Sequence, residues 1–150
     1  MREKRYFEDF RVGDVLTGQR ATVTESQIVD FAFKWDPQPF HVSKPDAEDT
    51  MFGGLIASGF HTLALTFRLI WQAGPHQETN VGGTGMDNLR WPRPVRPGDT
   101  LSATAEVMEL IPSSSRPFGR VKLAYTTTNQ NDEVVMTCEM HHLVAKRPTA

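Results

Sequence analysis

The sequence predicts an α+β domain in which a curved antiparallel sheet wraps around one long apolar helix. Three observations lead there. Residues 59–73 are apolar on nearly every side, as a helix at a protein's centre is. The C-terminal half alternates apolar and polar residues with period two, the pattern of half-buried strands. The order of elements is strand, two helices and then a run of strands, which is an α+β order.

A short first strand is expected over residues 15–23. Thr24 then opens a helix: Thr24 and Gln27 fit a capping box, and Val23 with Ile28 fits the accompanying hydrophobic staple. Ile28, Phe31, Ala32 and Trp35 recur on one face. This helix stops near Trp35, because Asp36 precedes Pro37 and a residue before proline disfavours α geometry. The central helix starts at Ser58-Gly59 and runs to Ala73, where Gly74-Pro75 ends it. Phe60, Leu63, Ala64, Leu65, Phe67, Leu69, Ile70 and Trp71 cover most of its circumference.

A further strand is expected over 85–91. Leu101, Ala103, Ala105, Val107 and Ile111 alternate with Ser102, Thr104 and Glu106. Val121, Leu123, Tyr125 and Thr127 alternate with Arg120, Lys122, Ala124 and Thr126, and Val134, Met136, Cys138 and Met140 with Val135, Thr137, Glu139 and His141. Residues 129–133 form a turn, so the strands that flank it pair antiparallel. Gly13-Asp14, Gly82-Gly83 and the run from Pro92 to Asp99 read as turns.

Composition narrows the function. The 150 residues suit one domain over 1–150, and 39% hydrophobic with 23% charged residues excludes a disordered chain. A net charge of −2 argues against nucleic acid as a partner, and Arg2, Lys4 and Arg5 are followed at once by Glu8 and Asp9, so they form no basic arm. The one cysteine, Cys138, allows neither an internal disulfide nor a thiolate zinc cluster, which fits a reducing compartment. No apolar run reaches the ~18 residues of a membrane span, and MREKRYFEDF does not read as a signal peptide. A soluble cytoplasmic domain without a membrane partner is expected. An open sheet has edges and an uncovered face, so a homodimer is expected, with further assembly of dimers open to it. One helix and a wrapping sheet are expected to leave little of the 150 residues over for a second lobe, and a dimer partner is expected to supply the missing wall of a site.

The densest set of functional groups lies between the helices, in Asp36-Pro37-Gln38-Pro39-Phe40-His41. Two prolines stiffen this loop and hold an acid and a histidine five positions apart, and stiffness preserves the geometry a catalytic pair needs. The same residues also fit a plain proline-rich turn, with Asp36 in a local side-chain turn and His41 half exposed. Beyond it, Gly53, Gly54 and Gly59 lead into the central helix. Glycine at a helix N-terminus lets a ligand approach free backbone N–H groups, where the helix dipole favours negative charge. Such a place suits an oxyanion; tight turns and close packing account for these glycines equally well.

The segment FAFKWDPQPFHVSKPDAEDTMFGGLIASGFHTLAL, together with the later PVRPGDTL, resembles the MaoC-like acyl dehydratases, relatives of the (R)-specific enoyl-CoA hydratases with the hotdog fold. The resemblance extends from Phe10 to about Leu143. It implies a hydro-lyase that acts on acyl-CoA thioesters and reversibly hydrates a trans-2-enoyl-CoA to a 3-hydroxyacyl-CoA. It implies Asp36 and His41 as the pair that holds and activates water, and the Gly59 backbone N–H as the group that polarises the thioester carbonyl. It implies no metal and no redox cofactor, coenzyme A entering only as part of the substrate. Where many (R)-hydratases have a Gly before the acid and an Asn two residues after it, this chain has Trp35 and Gln38; the usual Ala-His-Gly is Ala57-Ser58-Gly59.

Substrate binding is expected from Phe40, Met51, Phe52, Gly54 and Ser58, with ordinary core packing as the competing account of the apolar ones. Arg93, Arg96, Lys146 and Arg147 suit either coenzyme A phosphates or scattered surface charge. His61 is expected to be packed and hydrogen-bonded, His76 solvated, and Cys138 in the core. His141 and His142 point to opposite faces of one strand and cannot share a metal. Asp36 and His41, read as loop residues, are expected to be replaceable without loss of the fold. Two other functions stay open: a hotdog thioesterase, and a non-catalytic acyl-thioester binding protein.

Overall fold

The computed structural model describes residues 4–72, 74 and 77–149. The expected helix end at Ala73, the breaker Pro75, the solvated His76 and the basic Arg2 lie outside the described residues. After a 3-10 turn at Phe7–Asp9 come β1 (Val15–Thr17) and β2 (Ala21–Thr22), then α1 (Glu25–Trp35), α2 (Pro39–Val42), α3 (Lys44–Glu48) and α4 (Gly59–Trp71). Four long strands follow: β3 (Asn80–Arg90), β4 (Thr100–Ile111), β5 (Phe118–Thr128) and β6 (Val134–Ala145). The sheet is antiparallel and open, in the order β1-β4-β5-β6-β3, with β2 also paired to β4.

Two expected elements change shape. The single strand over 15–23 is two, because Gly18 passes against the end of α4 and the Gln19 N–H donates to Leu69 O at 3.2 Å instead of continuing a ladder. Val23 is held outside the strands, donating to Asp99 O at 2.8 Å and accepting from Gly98 N at 2.7 Å. The strand expected over 85–91 begins earlier, at Asn80, so Gly82-Gly83 lie inside β3 at breaks in its register rather than in a turn.

The alternation in β4 holds through Val107 and then slips. Leu101, Ala103, Ala105 and Val107 are all buried, but the register shifts between Val107 and Glu109, and Ile111 faces out. An extra residue in one strand reverses which side chains face the core beyond it. In β5 and β6, Val121, Leu123, Tyr125, Thr127, Met136 and Cys138 point inward as the pattern predicts, and His142 is buried while His141 is on the other face. The turn between these strands is tied by Asn129 Oδ1, which accepts from the N–H groups of Asn131 (2.9 Å) and Glu133 (3.1 Å).

α1 starts as its sequence dictates: Gln27 N donates to Thr24 Oγ1 at 3.2 Å and Thr24 N to Gln27 Oε1 at 3.0 Å, a closed capping box. Ile28 and Ala32 carry its packing, and its last turn runs past the core, leaving Trp35 72% exposed. α4 is less enclosed than its composition suggests. Its fully buried positions are Thr62, Thr66, Leu69, Ile70 and Trp71, while Phe60 is 59% exposed. The two threonines sit well in a core because their hydroxyls are satisfied: Thr66 Oγ1 donates to Thr62 O at 2.8 Å and lies 2.6 Å from Thr127 Oγ1 on β5. At the helix end the Trp71 indole N–H donates to the Tyr125 hydroxyl (2.9 Å), which in turn meets His142 Nε2 (2.8 Å). These contacts fix α4 along the inner face of the sheet, and its first turn therefore holds a defined place at one end of that face. No helix among the described residues is long and apolar enough to cross a membrane.

Candidate active site

Asp36 closes α1. Its N–H still donates to Ala32 O at 2.9 Å, but Pro37 forbids another turn, and the chain leaves at φ −157° and ψ 70°. The segment expected as a loop then winds into two short helices, α2 and α3, each with proline in its first turn, where a missing N–H is harmless. His41 therefore sits on a helical turn and is only 3% exposed, not half exposed on a loop. Its Nδ1 lies 2.7 Å from Ile56 O, and the Ile56 N–H donates to Phe40 O at 3.1 Å, so residues 40–41 and 56 are joined twice.

A carbonyl can only accept, so His41 Nδ1 carries the ring proton and Nε2 presents a lone pair when the ring is neutral. Nε2 is 3.3 Å from Asp36 Oδ2. That carboxylate receives Gln38 Nε2–H on Oδ1 and Ser58 Oγ–H on Oδ2, each at 2.7 Å. Burial pushes the Asp36 carboxyl up, but the Ser58 and Gln38 hydrogen bonds and the His41 ring outweigh it and hold the group below the ordinary carboxylate value. When the ring is neutral, its Nε2 lone pair and the Asp36 carboxylate are two acceptors 3.3 Å apart, which the two O–H groups of one water can satisfy together.

Ser58 also caps α4, its Oγ accepting from Phe60 N at 3.2 Å, and Thr62 N returns to Ser58 O at 3.1 Å. Gly59 is the first residue of the helix, where backbone N–H groups lack a partner within the helix. It lines a cleft of about 680 Å³ together with Asp36, Gln38, His41, Met51 and Trp91. Only glycine fits at 59: a Cβ there would come within 2.5 Å of the Trp91 ring. Close packing and an open approach thus coexist at this residue, the Cα sealed by Trp91 and the residue still on the cleft wall.

Of the residues expected to bind substrate, Met51 and Phe52 line the cleft. Phe40, Gly54 and Ser58 do not. Phe40 packs edge-on to His41 with centroids 4.5 Å apart and backs the wall, Gly54 sits in the turn before it, and Ser58 is fully buried with its hydroxyl committed to Asp36. Trp91 had no signal of its own in the sequence; only the fold carries the end of β3 to the first turn of α4. Of the four cations considered for phosphates, Arg93 and Arg96 line the cleft, while Lys146 reaches Ser113 O and Arg147 pairs with Asp9 at 2.7 Å, away from it.

His61 lies flat on Phe31, ring centroids 4.7 Å apart, and burial lowers its pKa. The hydrogen bond expected for it is missing at Nδ1, which is buried without a partner among the described residues. His141 pairs with Asp87 at 2.8 Å on the outer face of the sheet. Cys138 is buried, and burial with Glu139 nearby pushes its thiol up to about 11, which removes thiolate chemistry near neutrality.

Comparison with known proteins gives the family and the fold. The family model for the MaoC-like domain matches residues 10–130. The Bacillus subtilis protein YdeM is 31% identical over 93% of this chain and 98% of its own length. The 3-hydroxybutyryl-CoA dehydratase of Methylorubrum extorquens is 34% identical over 97% of this chain and 87% of its own. The crystal structure of a MaoC-like dehydratase from Rhodospirillum rubrum superposes with a TM-score of 0.90 at 39% identity, covering 97% of this chain and 99% of that one. The open antiparallel sheet with its packed helix is the hotdog architecture expected from the sequence.

Proposed function

The chain belongs to the MaoC-like dehydratase family, and from that premise we propose that it is a hydro-lyase that reversibly hydrates a trans-2-enoyl-CoA to a 3-hydroxyacyl-CoA. The observation that carries the reading is the Asp36–His41 pair, 3.3 Å apart on the wall of a cleft that also holds the first residue of α4. In this reading the thioester oxygen lies at the Gly59 N–H. The helix start draws charge onto that oxygen and makes the β-carbon electrophilic. Water held between Asp36 Oδ2 and His41 Nε2 adds to the β-carbon as the pair takes one of its protons, and the pair returns one proton to the α-carbon. Addition from one side is syn, and dehydration is the reverse. Neither a metal nor a redox centre enters the step. Met51 and Phe52 suit the acyl portion, and Arg93 and Arg96 suit the phosphates of coenzyme A.

The test is to incubate the purified protein with crotonyl-CoA and with longer or branched enoyl-CoAs, following enoyl absorbance and free thiol in parallel. Loss of enoyl absorbance without thiol release is expected. Thiol release alone would replace this reading with a thioesterase, and silence across the panel would favour a binding protein.

The working unit in this reading is a homodimer. Among the described residues β3 pairs along one edge only, Leu63, Leu65 and Phe67 of α4 are only partly buried, and Met51 and Phe60 stand 93% and 59% exposed at the cleft. A second copy covering that region supplies the missing wall. Light scattering coupled to gel filtration is expected to give twice the chain mass of 16.9 kDa or a multiple of that dimer; a stable, active monomer would overturn it.

A further inference from the structure

We infer that Ser58 is a positioning residue for the Asp36 carboxylate rather than a substrate contact. The residue is fully buried, so its hydroxyl has no access to the cleft. Its Oγ accepts the Phe60 N–H at 3.2 Å, which directs its own proton elsewhere, and Asp36 Oδ2 stands 2.7 Å away to receive it. That separation is typical of a hydroxyl donating to an ionised carboxylate. The bonds run in series, backbone N–H to hydroxyl to carboxylate, and each polarises the next.

The consequence is geometric. Gln38 holds Oδ1 at 2.7 Å from the same connection that carries Asp36, whereas Ser58 reaches Oδ2 from the start of α4. The carboxylate is thereby tied directly to the helix turn that bears Gly59. Movement of the proposed base relative to the proposed oxyanion donor requires breaking this bond. Charge follows geometry: each of these donors favours the ionised acid. The titratable group in contact with the carboxylate is His41 from α2, and the charged groups that share its cleft are Arg93 and Arg96 from the segment after β3. All of these remain when Ser58 is changed.

The kinetic side of this inference rests on the hydratase reading; the bond does not. The Asp36 titration is therefore measured directly, by carboxyl ¹³C NMR of the resting protein, in wild type, Ser58→Ala, Ser58→Gly and Ser58→Thr. Loss of the hydroxyl is expected to raise the Asp36 pKa by roughly one unit, and Thr to restore it. Gly separates the two duties of Ser58, because a helix N-cap tolerates Gly with little loss. With an enoyl-CoA substrate, Ala and Gly are expected to lower kcat about tenfold with KM nearly unchanged. The acid limb of the kcat/KM profile should move up in pH by the same shift as the NMR titration. An Asp36 titration unmoved in Ser58→Gly overturns the inference and leaves Ser58 as a helix cap alone. A shifted titration in a protein inactive on every enoyl-CoA keeps the inference and sinks the hydratase reading.

Discussion

Asp36→Asn is expected to lower kcat/KM for enoyl-CoA hydration by about 10²–10⁴-fold, the range for loss of a positioned acid or base. The substitution is nearly isosteric. It keeps one acceptor oxygen, enough for the Ser58 hydroxyl, while its NH2 group faces the Gln38 amide, and it removes the charge that faces His41 Nε2 at 3.3 Å. His41→Ala should be equally severe, but it is the less clean experiment. His41 is buried and bonded to Ile56 O at 2.7 Å, so Ala leaves a cavity and an unpaired carbonyl, a loss of about 1–3 kcal/mol. Neither is a free loop residue: Asp36 closes α1 and holds Gln38 and Ser58, and His41 is buried on α2. If the two act on one water, Asp36→Asn with His41→Ala should be barely slower than either alone. Wild-type rates in Asp36→Asn at unchanged Tm would remove the pair from the mechanism.

The same substitution has an acid-range signature. The Asp36 pKa is depressed in the folded state, so the stability its ionised form contributes is complete above the unfolded carboxylate range. It is lost as pH falls through the folded value. Stability profiles of wild type and Asp36→Asn should therefore differ near neutrality and converge in acid.

Much of this site was legible from the chain because its signals are local. The stop after α1 is written in Asp36-Pro37, the entry to α4 in Ser58-Gly59, and both were read within a residue. The spacing of Asp36 and His41 suggested a pair; what no spacing reveals is the carbonyl of Ile56, which decides which histidine nitrogen carries the proton. Ser58 is legible as the helix start, but the partner of its hydroxyl is not, since it meets Asp36 across 22 positions of sequence. Trp91 on Gly59 is a tertiary contact with no local trace. In the sheet, period-two patterning located the strands, and it failed past Val107, where an extra residue shifts the register. In α4 the apolar count overstates burial: Leu63, Leu65 and Phe67 are only partly buried and Phe60 is exposed, while two threonines hold buried positions.

Gly18→Ala is expected to be among the most destabilising of small substitutions, for a reason remote from the cleft. A Cβ at Gly18 would lie 2.4 Å from Leu69 O and 2.6 Å from Leu69 C. Both are backbone atoms of α4, which cannot rotate aside as a side chain can. Overpacking of this kind costs about 1–3 kcal/mol, and at this chain length each kcal/mol lowers Tm by roughly 2–4 °C. The contact also matters for the site. Gln19 N–H donates to the same Leu69 O at 3.2 Å, so relief of the clash pulls on one end of a helix whose other end holds Ser58 and Gly59. Activity should therefore fall along with stability. Gly85→Ala is the control, because a Cβ there meets nothing within 4 Å, and it should leave the unfolding free energy within about 0.5 kcal/mol of wild type, as is usual at exposed positions. Denaturant titration of the two variants beside wild type decides the matter. If Gly18→Ala unfolds at the wild-type midpoint, the close approach of Gly18 to α4 does not hold the helix, and its placement rests on its core packing and on the Thr127 and Tyr125 contacts.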